Sequence, residues 1–200
     1  MEIITIGNQI WTAENLNVNC FNNGDELFHA TTDLDWKKAA ENQTPAWCFY
    51  ENNIENSLEY GRLYNWYAVN DSRGIAPKGF CIPTNDHFKE LIAFLGNDAG
   101  QKLKSKNGWL EYGKGGGTDE FNFNAKPGGE NNFNYPNNPR GSELLYGKAI
   151  KEKAWFWSSS NADDNSELWA IAYCLSCWNN EMRQFTSQKN MGFSVRCIGL

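Results

Sequence analysis

The last stretch of this chain, Met191-Gly192-Phe193-Ser194-Val195-Arg196-Cys197-Ile198-Gly199, constrains the fold more than any other. Phe193, Val195 and Cys197 alternate with Ser194 and Arg196, which is the period-two pattern of a half-buried strand. A strand this close to a chain end has to be tied into a sheet, because untied termini fray. The expectation is a strand that closes one compact domain by pairing near the beginning of the chain. A partner is available there. Ile3-Ile4-Thr5-Ile6 and Gln9-Ile10-Trp11-Thr12 flank Gly7-Asn8, a two-residue hairpin signal.

The core those strands cover must be aromatic. Nine Trp, twelve Phe and eight Tyr stand among 200 residues, with little Met and modest Leu, Val and Ile. Such rings bury large areas, while Trp N–H and Tyr O–H groups need polar partners. Abundant Asn, Gly and Ser suit loops. The length fits a single domain over residues 1–200, with neither a fixed-period repeat nor a linker to divide it. A formal charge of −6 argues against a nucleic-acid partner. The sequence holds no apolar run long enough for a membrane span. Its start does not resemble a secretion signal, so the chain acts where it is made, leaves by another route, or is seen without its leader.

Thr32 and the segment after it read as either a short capped helix or a polar loop ended by Pro45. Trp47-Cys48-Phe49-Tyr50 reads as buried extended chain. Tyr60, Leu63, Tyr64 and Tyr67 fall at helical spacing and predict a short helix with a buried face. Phe80-Cys81-Ile82 reads as a short strand ended by Pro83. Thr84 then caps the best helix, Asp86 to Leu95, whose stripe is Phe88, Leu91, Ile92 and Leu95 and whose stop is Gly96. From Gln101 to Ala154 the pattern thins into long loops, of the kind that often carry function. Trp109, Phe121, Phe123, Phe133 and Tyr135 give that stretch apolar material to bury. Strand patterning resumes at Trp155-Phe156-Trp157. Leu168 to Leu175 and Glu181 to Phe185 then form a hairpin around Trp178-Asn179-Asn180. The fold class expected is α+β, with small antiparallel sheets, about two helices and long irregular loops.

Few motifs carry chemistry. Six cysteines suit either disulfides or buried thiols, and the sequence does not choose. Cys174 and Cys177 have zinc or redox spacing, but no second ligand pair matches, and residues three apart on a strand face opposite sides. His87 reads as an exposed first-turn residue. Ser158-Ser159-Ser160 is strand, not a nucleophile elbow. Gly115-Gly116-Gly117 lacks the Lys-Ser/Thr of a phosphate loop and reads as a flexible turn. Asp163 and Asp164, with Asn161 and Asn165, could supply oxygens to a Ca²⁺ ion, although carboxylates in a polar loop are more often only solvated. No catalytic set and no required cofactor emerge. The candidate ligand-binding residues are Trp178, Asn179, Asn180, Arg183 and Gln184, with Phe185. Trp and Arg dominate binding hot spots, Asn offers adaptable hydrogen bonds, and an exposed Trp stacks on sugar rings. The alternative is that Trp178 is one more core aromatic and the Asn pair a plain turn.

Several blocks occur in a fixed order. They are Ile6-Gly7-Asn8-Gln9-Ile10-Trp11 with Ala13-Glu14-Asn15-Leu16, Tyr60-Gly61-Arg62-Leu63-Tyr64-Asn65-Trp66-Tyr67-Ala68-Val69, and Ala76-Pro77-Lys78-Gly79-Phe80 with Ile82-Pro83-Thr84. Lys102-Leu103-Lys104-Ser105 with Gly108-Trp109, Pro127-Gly128-Gly129, Trp157-Ser158-Ser159, and Gly192-Phe193-Ser194-Val195-Arg196-Cys197 follow. Together they resemble the Fibrobacter succinogenes major paralogous domain family, mostly surface or secreted bacterial proteins, from about residue 3 to residue 198. That family in turn resembles the C-type-lectin-like fold of formylglycine-generating enzymes and of the variable proteins of diversity-generating retroelements. Where family members commonly carry His, this chain has Cys81, which raises a Cys81–Cys197 disulfide as an expectation to test. The resemblance implies a non-enzymatic recognition or adhesion module at a cell surface, binding a glycan or protein. The alternatives are a formylglycine-generating-like enzyme using Cys174, Cys177 or Cys197, and a structural or assembly subunit. The cysteine pair lies upstream of Trp178 rather than downstream, so the enzyme's own motif does not carry over.

Overall fold

Gly7 and Asn8 turn the chain between β1 (Ile3–Ile6) and β2 (Gln9–Thr12), which pair antiparallel as the flanking alternation predicts. The computed structural model describes residues 1–111, 115–131, 151–163 and 166–200. The expectations attached to Phe133, Tyr135, Asp164 and Asn165 lie outside the described residues. Short strand β10 (Ile198–Gly199) lies between β2 and β6 (Phe80–Cys81) in the order β1-β2-β10-β6, so the end of the chain does close on its beginning. A second sheet joins β3 (Phe28–His29), β4 (Ala46–Cys48) and β5 (Leu63–Tyr64). The third and longest joins β7 (Lys153–Asn161), β8 (Trp169–Ser176) and β9 (Met182–Gln188) as an antiparallel meander.

The helices follow their caps. The Thr32 side chain accepts from the Asp35 N–H while the Asp35 carboxylate accepts from Thr32 N, so α1 (Asp33–Glu41) is a helix and not a polar loop. Thr84 caps α4 (Asn85–Leu95), and His87 completes that box by accepting the Thr84 N–H on Nδ1. Sequence reading treats His87 as unremarkable, yet it has this structural task. Among the described residues three shorter helices accompany the two longer ones, more than the two expected: α2 (Asn56–Tyr60), α3 (Trp66–Val69) and α5 (Ala99–Leu103). The fold is thus mixed α+β, and no helix among the described residues is long and apolar enough to cross a membrane. The helix expected across Tyr60 to Tyr67 is instead three pieces. The α2 helix ends at Tyr60, Leu63 and Tyr64 pair with Cys48 and Trp47, and Asn65 starts α3 by accepting the Ala68 N–H. Sheet pairing overrides the helical spacing there.

The closing segment is not half-buried. Ser194 and Arg196 are as sequestered as Phe193 and Val195, because different sheets cover the two sides of the strand. Phe193 bridges Tyr64 of the second sheet, Ser194 bridges Phe156 of the third, and Ile198 pairs within the first. The third sheet is itself the partition of the molecule. Trp155, Trp157, Ala172 and Cys174 pack on one side with Phe193, Val195 and Cys197. Phe156, Tyr173, Leu175 and Met182 pack on the other with α4, α5 and Trp11.

The six cysteines are free thiols, and Cys81 and Cys197 form no bridge. Cys81 stands opposite Ile198 and shares its core, whereas Cys197, one residue back along the strand, faces the other core. Side chains on opposite faces of a sheet cannot meet the geometry of a disulfide.

Candidate functional site

The register of the third sheet sets Trp155, Cys174 and Arg183 in one row across β7, β8 and β9, with Lys153 opposite Ser176 beside them. Above that row the closing segment lays Phe193 flat on Trp155, at 4.9 Å between ring centroids and 8° between planes. Phe185 meets the same indole edge-on at 5.1 Å. Between these rings, the β8–β9 turn and residue 130, the surface opens into a cleft of about 510 Å³. Trp178 in the turn and Trp169 at the start of β8 stand on its rim, 53% and 41% exposed. The other seven tryptophans of the chain are buried, so these two indoles stand apart from the rest.

Glu130 is the cleft's one carboxylate among its described lining residues. It is held from both sides by backbone bonds: Gly129 N donates to Lys153 O at 2.9 Å, and Asn131 and Gly192 exchange N–H···O bonds at 2.9 and 2.8 Å. The exchange requires the two chains to touch. A Cβ on Gly192 would lie 2.7 Å from that of Asn131, so only glycine fits. The Glu130 side chain is left 4% exposed, and its Oε1 has no hydrogen-bond partner among the described residues. Burial raises its carboxyl pKa to about 7, and the nearby Lys153 ammonium opposes only part of that rise. Trp155 Nε1 is likewise buried and unpartnered among the described residues.

The Trp178 turn is braced from beneath. Lys104, fully buried, donates from Nζ to the carbonyls of Gly115, Ser176 and Asn179 at 3.0, 3.1 and 3.1 Å. Gln101 N donates to Asn180 O at 3.1 Å, and the Asn180 amide donates back to Gln101 Oε1 at 2.9 Å. Helix α5 approaches so closely that a Cβ on Gly100 would sit 2.5 Å from the Glu181 carbonyl oxygen. The triglycine is pinned here too, with Gly115 N donating to Cys177 O and Gly117 N to Ser105 O, so it is not a free flexible turn.

The structure divides the sequence-derived set. Trp178, Asn179 and Arg183 line the cleft together with Phe185. Arg183 is also paired to Glu181, Nε to Oε2 at 2.6 Å, on the exposed side of the turn. Asn180 is spent on Gln101, and Gln184 points to the opposite face, where it accepts from the Tyr173 hydroxyl at 3.3 Å. Sequence reading passes over Glu130, Trp155, Trp169 and Lys104. Trp155 is recoverable from strand pairing opposite Cys174. The only sign of Glu130 is its place directly after Pro127-Gly128-Gly129, and a buried lysine serving three carbonyls leaves no sequence signal.

Cys174 lines the cleft, whereas Cys177 belongs to the other core, as the strand spacing predicts. Burial pushes the Cys174 and Cys197 thiols up to about 12 and raises Cys177 as well. Among the described residues no cluster of three His, Cys, Asp or Glu side chains could hold a metal ion. In comparison with known proteins, the family pattern of the Fibrobacter succinogenes major domain matches residues 4–199. No curated protein and no solved structure matches the chain.

Proposed function

The chain belongs to the Fibrobacter succinogenes major domain family, and on that premise we propose that it is a non-enzymatic recognition module whose aromatic cleft binds a glycan or protein ligand at a bacterial cell surface. The observation that carries this reading is the pair of exposed indoles, Trp178 and Trp169, standing over a cleft walled by Trp155, Phe185 and Phe193. Aromatic faces with a few convergent polar groups are the make-up of a ligand site, and exposed Trp beside Arg is the make-up of a hot spot. The cysteines support a binding role over a thiol enzyme, since a thiol raised to about 12 stays protonated and is a poor nucleophile. We read the architecture as C-type-lectin-like. The pairing of the last strand, β10, with β2 near the start of the chain supports that reading.

The test is a titration on glycan and protein arrays, followed by calorimetry on each hit with the wild type and Trp178→Ala. Truncating a hot-spot indole costs about 2 kcal/mol, so Trp178→Ala should weaken binding roughly thirty-fold. Hits that bind both proteins equally would place recognition elsewhere, and an array without hits would sink the reading. Stacking and hydrogen bonding supply the contacts, so binding should survive a chelator. Its loss with EDTA would bring in calcium at the Asn161–Asp163 loop instead.

A further inference from the structure

Two buried polar atoms in one cleft lack partners among the described residues, and they are of opposite kind. Glu130 Oε1 can only accept while ionised, and Trp155 Nε1 can only donate. Native interiors rarely leave such groups unpaired, and each one calls for an explanation. Here both belong to residues lining the cleft whose rim carries Trp178 and Trp169. The occupant that would satisfy them must donate to a carboxylate and accept from an indole in the same cleft, while offering an apolar face to aromatic rings. A quaternary ammonium donates nothing and accepts nothing, and a carboxylate ligand has no hydrogen to donate to an ionised Glu130. A hydroxyl donates and accepts at once, and a sugar ring adds the apolar face.

We propose that the ligand of this cleft is a neutral glycan, with a sugar ring stacked on the rim tryptophans and hydroxyls taking up Glu130 Oε1 and Trp155 Nε1. This rests on the recognition reading above and narrows it to one ligand class. Both atoms are closed off from solvent, so reaching them takes a side-chain adjustment of the wall, a common accompaniment of binding. Glu130 and Trp155 become ligand-anchoring residues, and Lys153, which lines the same cleft, places a cation near the carboxylate.

The test uses substitutions that remove the orphan atom and keep an apolar side chain in its place, Glu130→Met and Trp155→Phe, beside Trp178→Ala. The probes are neutral pentasaccharides (malto-, cello-, manno- and xylo-series) and a panel of unmodified decapeptides, read by calorimetry on the full chain. Removing an unpaired buried polar atom is neutral or stabilising, so Glu130→Met should melt no lower than the wild type, whereas Trp155→Phe also gives up part of a buried ring and should melt somewhat lower while staying folded. At least one pentasaccharide should bind. Glu130→Met should weaken it at least about ten-fold and Trp155→Phe roughly three-fold or more, the range of single hydrogen bonds to charged and neutral groups. Saccharide binding that falls with Trp178→Ala but not with Glu130→Met or Trp155→Phe would overturn the anchors and leave the recognition reading standing. Peptide binding without saccharide binding would overturn the glycan and again leave recognition standing. No binding by either panel, with the glycan and protein arrays also empty, would overturn both.

Discussion

At the scale of single residues, two buried charges sit in different circumstances. Arg196 is 2% exposed, yet its guanidinium donates to Thr12 O, Phe123 O and Asn15 Oδ1 at 2.9, 2.8 and 2.7 Å and lies over the Phe123 ring. Glu130 is buried almost as deeply, with one oxygen unsatisfied. That difference has a pH signature. The Glu130 carboxyl titrates near 4.5 when unfolded and near 7 in the fold, so the fold favours its protonated form. Stability from this group is fully present below the unfolded value and is lost as pH rises through about 7, a loss of about 3 kcal/mol at 1.4 kcal/mol per unit. Other shifted carboxyls act elsewhere. Asp25, Asp35 and Asp71 are held below the usual range, chiefly by side-chain hydrogen bonds from Asn23, Thr32 and Arg73 respectively, so they matter only in stronger acid. Lys153 from β7 and Arg183 from β9 line the same cleft as Glu130, and the Cys174 thiol there, raised by burial, stays neutral across the window. Denaturant titrations from pH 4 to 8 should therefore show Glu130→Gln gaining on the wild type between about 4.5 and 7, then running parallel. A constant difference over that range would mean the carboxyl is not buried as described.

At the scale of elements, the candidate site is a β-turn resting on a short helix. The α5 helix has five residues, too few to be stable alone, and it persists because Leu103 and Ala99 are buried and Lys104 ties its end to the turn. Replacing Lys104 with Met keeps the stem's bulk but leaves three carbonyls, those of Gly115, Ser176 and Asn179, short of a donor. The expected cost is about 2–4 kcal/mol. Replacing Gly100 with Ala forces the helix away from the Glu181 carbonyl, at about 1–3 kcal/mol of overpacking strain. Both changes lie behind the Trp178 turn rather than in the cleft. Amide hydrogen exchange should accelerate first over residues 176–182, with the rest of β8 and β9 protected as before. Uniform acceleration across the third sheet would mean the brace belongs to the global core and not to the turn.

At the scale of the whole molecule, legibility in the sequence followed the range of the forces involved. Local chemistry was readable: the Gly7-Asn8 turn, the Thr84 cap, and the β8–β9 hairpin with Trp178 at its tip all depend on neighbours within a few residues. What was not readable depended on contacts between distant segments. Leu63 and Tyr64 are strand because Cys48 and Trp47 lie beside them, and Glu130 faces the cleft because Gly129 and Asn131 are bonded to residues 153 and 192. The closing segment shows the limit most plainly. Its alternation was legible, but covering on both sides could be seen only once three sheets met along it. Arg196 is where that meeting has an energetic consequence, since its fork joins the end of β2, Asn15 and the Phe123 carbonyl to the last strand. Lysine at this position keeps the charge but has no planar fork, so at least one of those acceptors loses its donor in a buried setting. The expected loss is about 3 kcal/mol, which for a domain of this size lowers the melting temperature by about 6–12 °C. Because the segment bridges all three sheets, that loss should fall on the molecule as a unit. Tryptophan fluorescence, far-UV circular dichroism and calorimetry on Arg196→Lys should therefore report one coincident, down-shifted transition. Separate transitions, with the third sheet melting at the wild-type temperature, would show that the sheets are held independently and that the last strand is not their common seam.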